Sequence, residues 1–346
     1  MGLWASVIDQ SPLAEVSLPD KVSVVIPAFN SAGFIREALE SLLSQSYGNF
    51  EAVVIDDGST DGTSDVVREL MLRDSRIRMY QQPNMGLGAA RNLGIEMSHG
   101  SWIMFLDSDD CLVSSALKSC LDFAELTGAN LVMFDTEPFL DQSFGERGSS
   151  QVLDHSRLYY RRREQIPASC LSGEEMLTSL VEDGGFRPSA CLYIFRKSTM
   201  LDNQLRFEPG VIFEDNLFTP ILFSCCDVIG YVREQPLHRR RLRPNSLSSG
   251  TSKELPKSFF IVASLLHKHG SAQKRHSQRM SSLFFRLATS NFRRAQRGFA
   301  ALQVRDRGRV IVEICRHRGL GVAEKSKVLI LIFGSFRFRK TPRERP

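Results

Sequence analysis

Six residues, Phe105-Leu106-Asp107-Ser108-Asp109-Asp110, follow the apolar run Trp102-Ile103-Met104 and set carboxylates one residue apart where an apolar strand ends. In an open α/β sheet that position is the carboxyl edge, where ligands bind. Carboxylates crowded there repel one another and lose hydration unless a positive partner joins them. A hard divalent cation carrying phosphate oxygens meets that need. Taken alone, Asp107-Ser108-Asp109 is weak evidence, because acidic turns are common and usually solvated.

Three upstream features strengthen it. After the stretch Val22 to Ile26, the backbone at Pro27 and the ring of Phe29 can receive a flat base, with Phe29 as plain core the alternative. Asp56 closes a second apolar stretch, where its carboxylate can accept from a base imide, while Asp57 more readily shapes the turn. An Asp-Asp-Gly-Ser turn by itself is more often a helix cap. From Asn84 to Asn92, small residues open a helix, where bare backbone and the helix dipole favour anions. No Gly-Lys-Ser/Thr follows, so this is not a Walker loop. The glycine spacing of a dinucleotide fingerprint is also missing. Arg91 in this segment reaches base or phosphates on one reading and forms a surface salt bridge on the other. The four features fall in the order that a nucleotide-sugar site requires.

Together the segments Val22 to Asn30, Val54 to Thr63, Asn84 to Gly94 and Phe105 to Asp110 resemble glycosyltransferase family 2, of the GT-A fold, with the match running almost without gaps over 21–112. The resemblance implies a nucleoside-diphosphate sugar donor, with a leaning to uridine, a divalent metal (Mn2+ or Mg2+) and inversion at the anomeric carbon. It implies that Pro27, Phe29, Asp56, Arg91 and Ser108 serve the donor. Asp107 and Asp109 belong to the metal–diphosphate, Asp109 foremost as direct ligand. A later segment, Val211 to Phe218, is similar to the family's Glu-Asp pair; by that likeness Asp215 is the general base for the acceptor hydroxyl and Glu214 supports it. An acidic pair that merely caps a helix is the plainer alternative.

The chain departs from the family pattern where many relatives carry Trp-Asn-Lys followed by Leu-Tyr-Arg; here Ser189 to Arg196 reads Ser-Ala-Cys-Leu-Tyr-Ile-Phe-Arg. That region tends to shape the acceptor pocket. Arg239 to Arg243 lacks the tryptophan of chain-polymerising relatives, and no membrane span is evident, which argues against a processive synthase. His238 and the neighbouring arginines can help hold a diphosphate, Arg being the better bidentate partner, or can form a basic surface.

These residues need a scaffold, and the patterning supplies one. Strands at 22–26, 50–55, 77–80 and 102–106 alternate with helices at 34–44, 64–73 and 86–97, the signature of a parallel sheet flanked by helices. A helix over 114–127 and a strand over 130–135 extend it, and 139–170 reads as polar and irregular. The expected organisation is a lead-in at 1–20 and a Rossmann-like, mixed α/β domain at 21–243, divided into a donor half (21–112) and an acceptor half (113–243). A basic, mostly helical region at 244–346 completes it, with helices near 256–269 and 276–302.

The net charge of +5 hides a polarised chain: from Arg239 onward there are 26 Lys and Arg against 5 Asp and Glu, whereas the first 238 residues hold 18 against 34. Such a basic third suits an anionic partner, and a glycan or lipid-linked saccharide acceptor at the inner face of a plasma membrane would explain it. Solvated basic helices are the plainer account. The apolar run Val328 to Phe333 is too short to span a bilayer but can lie in its interface. No nucleic-acid reading module is present. Seven scattered cysteines without a Cys-x-x-Cys pair point to reduced thiols and a cytoplasmic setting, and no signal peptide is read at the amino terminus. The rival reading in another class is an inactive GT-A domain that binds nucleotide or glycan for a partner.

Overall fold

All seven residues of β1 (Val22–Ala28) are buried, as a strand covered by helices on both faces requires. Their alternation feeds two cores: Val22, Val24 and Ile26 enter one, and Val25 enters the other. The computed structural model describes residues 20–142, 149–160, 166, 169–243, 254–302, 304–316, 321–322 and 325–326. Most of the expected lead-in, parts of the 139–170 stretch, the start of the basic region at 244 and the apolar run at Val328 to Phe333 lie outside them.

After β1 come α1 (Ile35–Leu43), β2 (Phe50–Asp56), α2 (Thr63–Met71), β3 (Ile77–Gln81), α3 (Leu87–Glu96) and β4 (Trp102–Phe105). The four strands are parallel, in the order β3-β2-β1-β4. In α1, Ile35, Ala38, Leu39 and Leu42 form one buried stripe at helical spacing. Burying each of its large aliphatic side chains contributes about 1.5–3 kcal/mol. α3 lies so close to the sheet that a Cβ on Gly94 would come within 2.2 Å of a Val25 methyl. Only glycine fits there.

The strand expected over 22–26 needs correction, since β1 runs on through Pro27 to Ala28. β2 accompanies it to the end, but the register with β4 closes at Val25 and Phe105. Pro27 therefore lacks its N–H on a stretch where β4 no longer asks for one.

The chain continues through β5 (Cys111–Leu112), α4 (Ala116–Thr127), β6 (Leu131–Met133), β7 (Thr136–Leu140), α5 (Ser149–Tyr160), β8 (Cys170–Leu171) and α6 (Gly173–Glu182). Then follow β9 (Tyr193–Arg196), α7 (Lys197–Asp202), α8 (Asp215–Ser224), β10 (Ile229–Tyr231) and β11 (His238–Leu242). β9 inserts antiparallel between β4 and β6, so the large sheet reads β3-β2-β1-β4-β9-β6-β10-β8. β5, β11 and β7 form a smaller sheet. A helix, α5, occupies part of the stretch read as irregular; its sequence carries no clean apolar stripe, and Arg157 ties it to Glu137 of β7.

α9 (Leu255–Gln273), α10 (Gln278–Ala301) and α11 (Val304–Arg316) complete the described elements. They share a third apolar cluster, which also takes in Leu177 of α6 and Leu217 of α8. The helices are thus packed onto the body beside the site. Among the described residues, no helix is long and apolar enough to cross a membrane.

Candidate active site

The parallel strands β1, β2 and β4 end side by side, and the acidic turn leaves the end of β4. The Leu106 N–H still donates to Val25 O at 3.0 Å, and the Asp110 N–H closes the turn on Asp107 O at 3.0 Å. Ser108 Oγ meets Ser31 Oγ at 2.7 Å, tying the turn to the loop after β1.

β11 holds the other side of the turn. The backbone N–H of Arg241 donates to Asp110 Oδ1 at 2.8 Å, and its Nε donates to Asp109 O at 2.9 Å. Arg243 Nε donates to Asp109 Oδ2 at 2.8 Å. His238 is buried, with Nδ1 2.7 Å from Thr136 Oγ1 and Nε2 3.4 Å from Asp110 Oδ2. Arg241 thus braces the acidic turn, and His238 is buried beside it with its Nε2 making no hydrogen bond; the two form neither an open diphosphate clamp nor a solvated basic surface. Arg241 also pairs with Glu37 and Asp141. Among the described residues, Arg240 makes no ion pair; its guanidinium lies 5.4 Å over the Tyr160 ring and acts on both Asp107 and Asp215.

Arg91 is buried beneath the site, far from a surface salt bridge. One guanidinium nitrogen binds Glu214, and the other donates to Asp107 Oδ1 at 3.1 Å and lies 4.0 Å from Cys191 Sγ. The rings of Phe105 and Phe207 flank it at 5.5 and 5.4 Å. Burial pushes the Asp107 carboxyl up, but the Arg91 and Arg240 charges outweigh it and hold Asp107 below its usual value. Burial raises Glu214 despite Arg91.

Asp215 begins α8 and is half-buried. Burial, then the neighbouring Glu214 charge, push its carboxyl up to about 7. Asn216 Nδ2 donates to Asp215 Oδ1 at 3.2 Å. Just before the pair, Phe213 stands at φ +60°, a conformation that costs a bulky residue about 1–3 kcal/mol.

The expected nucleotide residues are more dispersed. Phe29 is 49% exposed, which leaves its ring open to stacking. Pro27 sits in β1 opposite Ile55. Asp56 is buried and accepts from the Ser59 N–H at 2.9 Å, from the Ser64 hydroxyl and from Gln81. Burial opposes its charge, yet these hydrogen bonds hold it below the usual carboxylate range. Asp57 does shape the turn, and its carboxylate accepts the N–H groups of Met85 and Gly86 at 2.8 and 2.9 Å. An internal carboxylate thereby takes up amides just ahead of α3, where the sequence suggested an anion.

Asp109 is also held above its usual value: burial, then Asp110 and Asp107, raise it, and Arg243 only partly compensates. Asp107 and Asp109 supply hard oxygens, as a divalent cation requires. Among the described residues, no group of three or more His, Cys, Asp or Glu side chains forms a ready cage. A cation held by these two carboxylates would have to take its remaining oxygens from a ligand. Sequence reasoning missed the parts of Asp110, Arg241, Arg243, Cys191 and Asn216. The run of arginines at 239–243 was the one legible signal for a partner to the acidic turn.

Residues 23–178 match the family model described as glycosyl transferase family 2. The chain is 29% identical over 237 residues to glycosyltransferase GlyA of Streptococcus pneumoniae, covering 66% of this chain and 32% of that one. It is 26% identical over 230 residues to GlyG of the same species, covering 65% and 72%. With an uncharacterized glycosyltransferase of Rickettsia felis it shares 46% over 105 residues, or 30% and 17% of the two chains. The aligned part thus spans about a third or less of GlyA and the Rickettsia protein. Among solved structures, S. aureus TarS 1–349 in complex with UDP-GlcNAc matches with TM-score 0.57 at 19% identity, covering 92% and 91%. The mannosyltransferase PcManGT of Pyrobaculum calidifontis, in complex with GDP-Man and Mn2+, matches with TM-score 0.51 at 15% identity, covering 94% and 89%.

Proposed function

Because this chain belongs to glycosyltransferase family 2 and has the GT-A fold, we propose that it transfers a sugar, with inversion, from a nucleoside-diphosphate sugar to a hydroxyl of a growing glycan or lipid-linked saccharide. A UDP-sugar is the donor favoured, in keeping with the UDP-GlcNAc complex of TarS. The observation that carries the reading is the chain of contacts Asp107–Arg91–Glu214, which joins the acidic turn to the residue beside Asp215. Leaving group and nucleophile need opposite electrostatic treatment, and here one buried framework serves both.

Asp215 takes the proton from the acceptor hydroxyl, and a carboxyl raised to about 7 is suited to that task near neutral pH. Pro27, Phe29, Asp56 and Ser108 receive the nucleotide, Phe29 through its open ring. Arg240 draws the leaving diphosphate and Arg91 fixes Asp107 and Glu214. Asp109 and Asp107 would hold a divalent cation, Mn2+ or Mg2+, which when bound would supply Lewis-acid stabilisation of the charge on the diphosphate.

Membrane contact through the basic helices belongs to the same proposal. On α10, Arg286, Arg293 and Arg297 line an open groove of about 520 Å³ together with Phe285, Thr289 and Ser290. Five arginines and no acidic residue occur along that helix. Anionic lipid headgroups attract such a face at about 1 kcal/mol per basic residue near the surface.

A panel of nucleotide sugars, assayed for Mn2+-dependent release of the nucleoside diphosphate, tests the reading. Release that is abolished by Asp109→Asn and by Asp215→Asn supports it. Nucleotide binding without turnover of any donor would favour the inactive binding domain.

A further inference from the structure

Phe213 stands at φ +60° immediately before Glu214 and Asp215. A bulky side chain does not rest there unless its surroundings hold it, and such residues gather at functional sites. Two contacts from α9 do the holding. The Phe259 ring stacks on Phe213, with centroids 5.6 Å apart and planes 23° from parallel. The buried Ser258 hydroxyl accepts the Ile212 N–H at 2.9 Å. On either side of this loop, Val211 and Leu217 sink into the cluster that contains Phe260 and Ile261 of α9.

From Phe213 the constraint passes directly to the site. The Asn216 side-chain amide donates to Phe213 O and to Asp215 Oδ1, both at 3.2 Å, and its backbone N–H also donates to Phe213 O at 3.1 Å. Were Phe213 to relax toward an ordinary φ, its carbonyl would turn away and the first turn of α8 would turn with it. α9 lies beyond the residues 23–178 that carry the family match.

We infer that α9 belongs to the catalytic apparatus, Ser258 and Phe259 being positioning residues that lock the 211–213 loop and, through Phe213 and Asn216, aim the Asp215 carboxylate. The inference rests on Asp215 being the general base. Asp215 would touch the acceptor; Ser258 and Phe259 act only through the loop.

The test follows the Asp215 carboxyl by NMR titration of protein labelled with 13C-aspartate, Asp215→Asn identifying its signal. Ser258→Ala and Phe259→Leu are expected to fold and to move its midpoint by about half a pH unit or more. Both should keep UDP affinity in the presence of Mn2+ within about twofold while hydrolysis of UDP-GlcNAc falls about tenfold. Phe259→Tyr, which preserves the stack, should restore both readouts. Phe292→Leu, a change against Phe260 in the same core, should lower the melting temperature and leave the Asp215 midpoint unmoved. Folded Ser258→Ala and Phe259→Leu proteins with the wild-type midpoint would overturn the inference, as would losses of UDP binding that match the losses of turnover. Should Phe259→Leu not fold, Phe213→Gly takes its place: glycine tolerates the φ but loses the stack, and a wild-type midpoint there overturns the inference equally. Undiminished turnover by Asp215→Asn would instead sink the base assignment, a separate failure.

Discussion

Arg91 and Glu214, 123 residues apart in the chain, form a buried ion pair beneath the site, with their side chains 3% and 2% exposed. The same guanidinium reaches Asp107, so that one cation fixes a carboxylate of the acidic turn and the neighbour of the proposed base. Removing one partner from such a pair leaves an uncompensated charge in the core. Arg91→Ala should therefore cost about 3–5 kcal/mol of stability, measured by urea denaturation. Arg91→Lys should recover only part of it, since an ammonium cannot reproduce the planar fork that spans two carboxylates. A loss under about 1 kcal/mol in Arg91→Ala would show that the pair is not holding the site together.

Asp215 should make the acidic limb of the pH–rate profile. Its carboxyl must be deprotonated to act, so turnover should rise with pH up to about 7 and then level. Stability runs the other way. The folded pKa lies above the unfolded value, so the folded state holds a proton that the unfolded chain has already lost, and the resulting penalty grows from about pH 4 and is complete above about pH 7. Asp215→Asn should remove turnover yet raise the melting temperature at pH 8, by at most about 4 kcal/mol of stability before solvent and neighbouring charges screen it. That gain should vanish near pH 4. Equal melting curves at pH 8 would contradict this assignment.

Asp109 should link cation binding to protons. Burial and two neighbouring carboxylates raise it, so a divalent cation must displace a proton at acid pH. Mn2+ should stabilise the protein more at pH 7.5 than at pH 5.5, and more with UDP present, because the ligand completes the coordination. Asp109→Asn should lose most of the Mn2+ effect in a thermal-shift titration. A Mn2+ effect independent of both pH and this substitution would place the cation elsewhere.

The arginine face of α10 should bind anionic vesicles. Co-sedimentation with phosphatidylglycerol-containing vesicles should fall about tenfold or more in Arg286→Glu/Arg293→Glu/Arg297→Glu, and neutral phosphatidylcholine should capture neither protein. The binding should weaken with salt as surface charges are screened. Equal capture of the triple variant would refute a role for this face.

The stretch 21–112 was legible because its signals are local. Apolar strands bounded by turns, a glycine-rich helix start and an acidic turn each occupy fewer than about a dozen residues, and parallel βα units bring strand ends to one edge almost by rule. The insertion of β9 between β4 and β6 was not legible, since a four-residue strand carries no periodicity that names its neighbours. The arginines of β11 were visible as a charge run; that Arg241 and Arg243 close on the acidic turn depends on pairing between β5 and β11.

By itself the sequence determined the order of the main strands and helices over 22–135 and the chemistry that the chain can bring: carboxylates at the end of β4, an aromatic ring after β1 and an acidic pair at 214–215. Only the tertiary structure decided which charges share a low-dielectric interior. Arg91 became a buried strut and not a surface cation because the packing of Phe105 and Phe207 excludes water around it, and Coulomb attraction to Asp107 and Glu214 is the compensation left. Long-range electrostatics and backbone strain such as that of Phe213 arise from contacts between segments distant in the chain, and no local pattern of residue types encodes them.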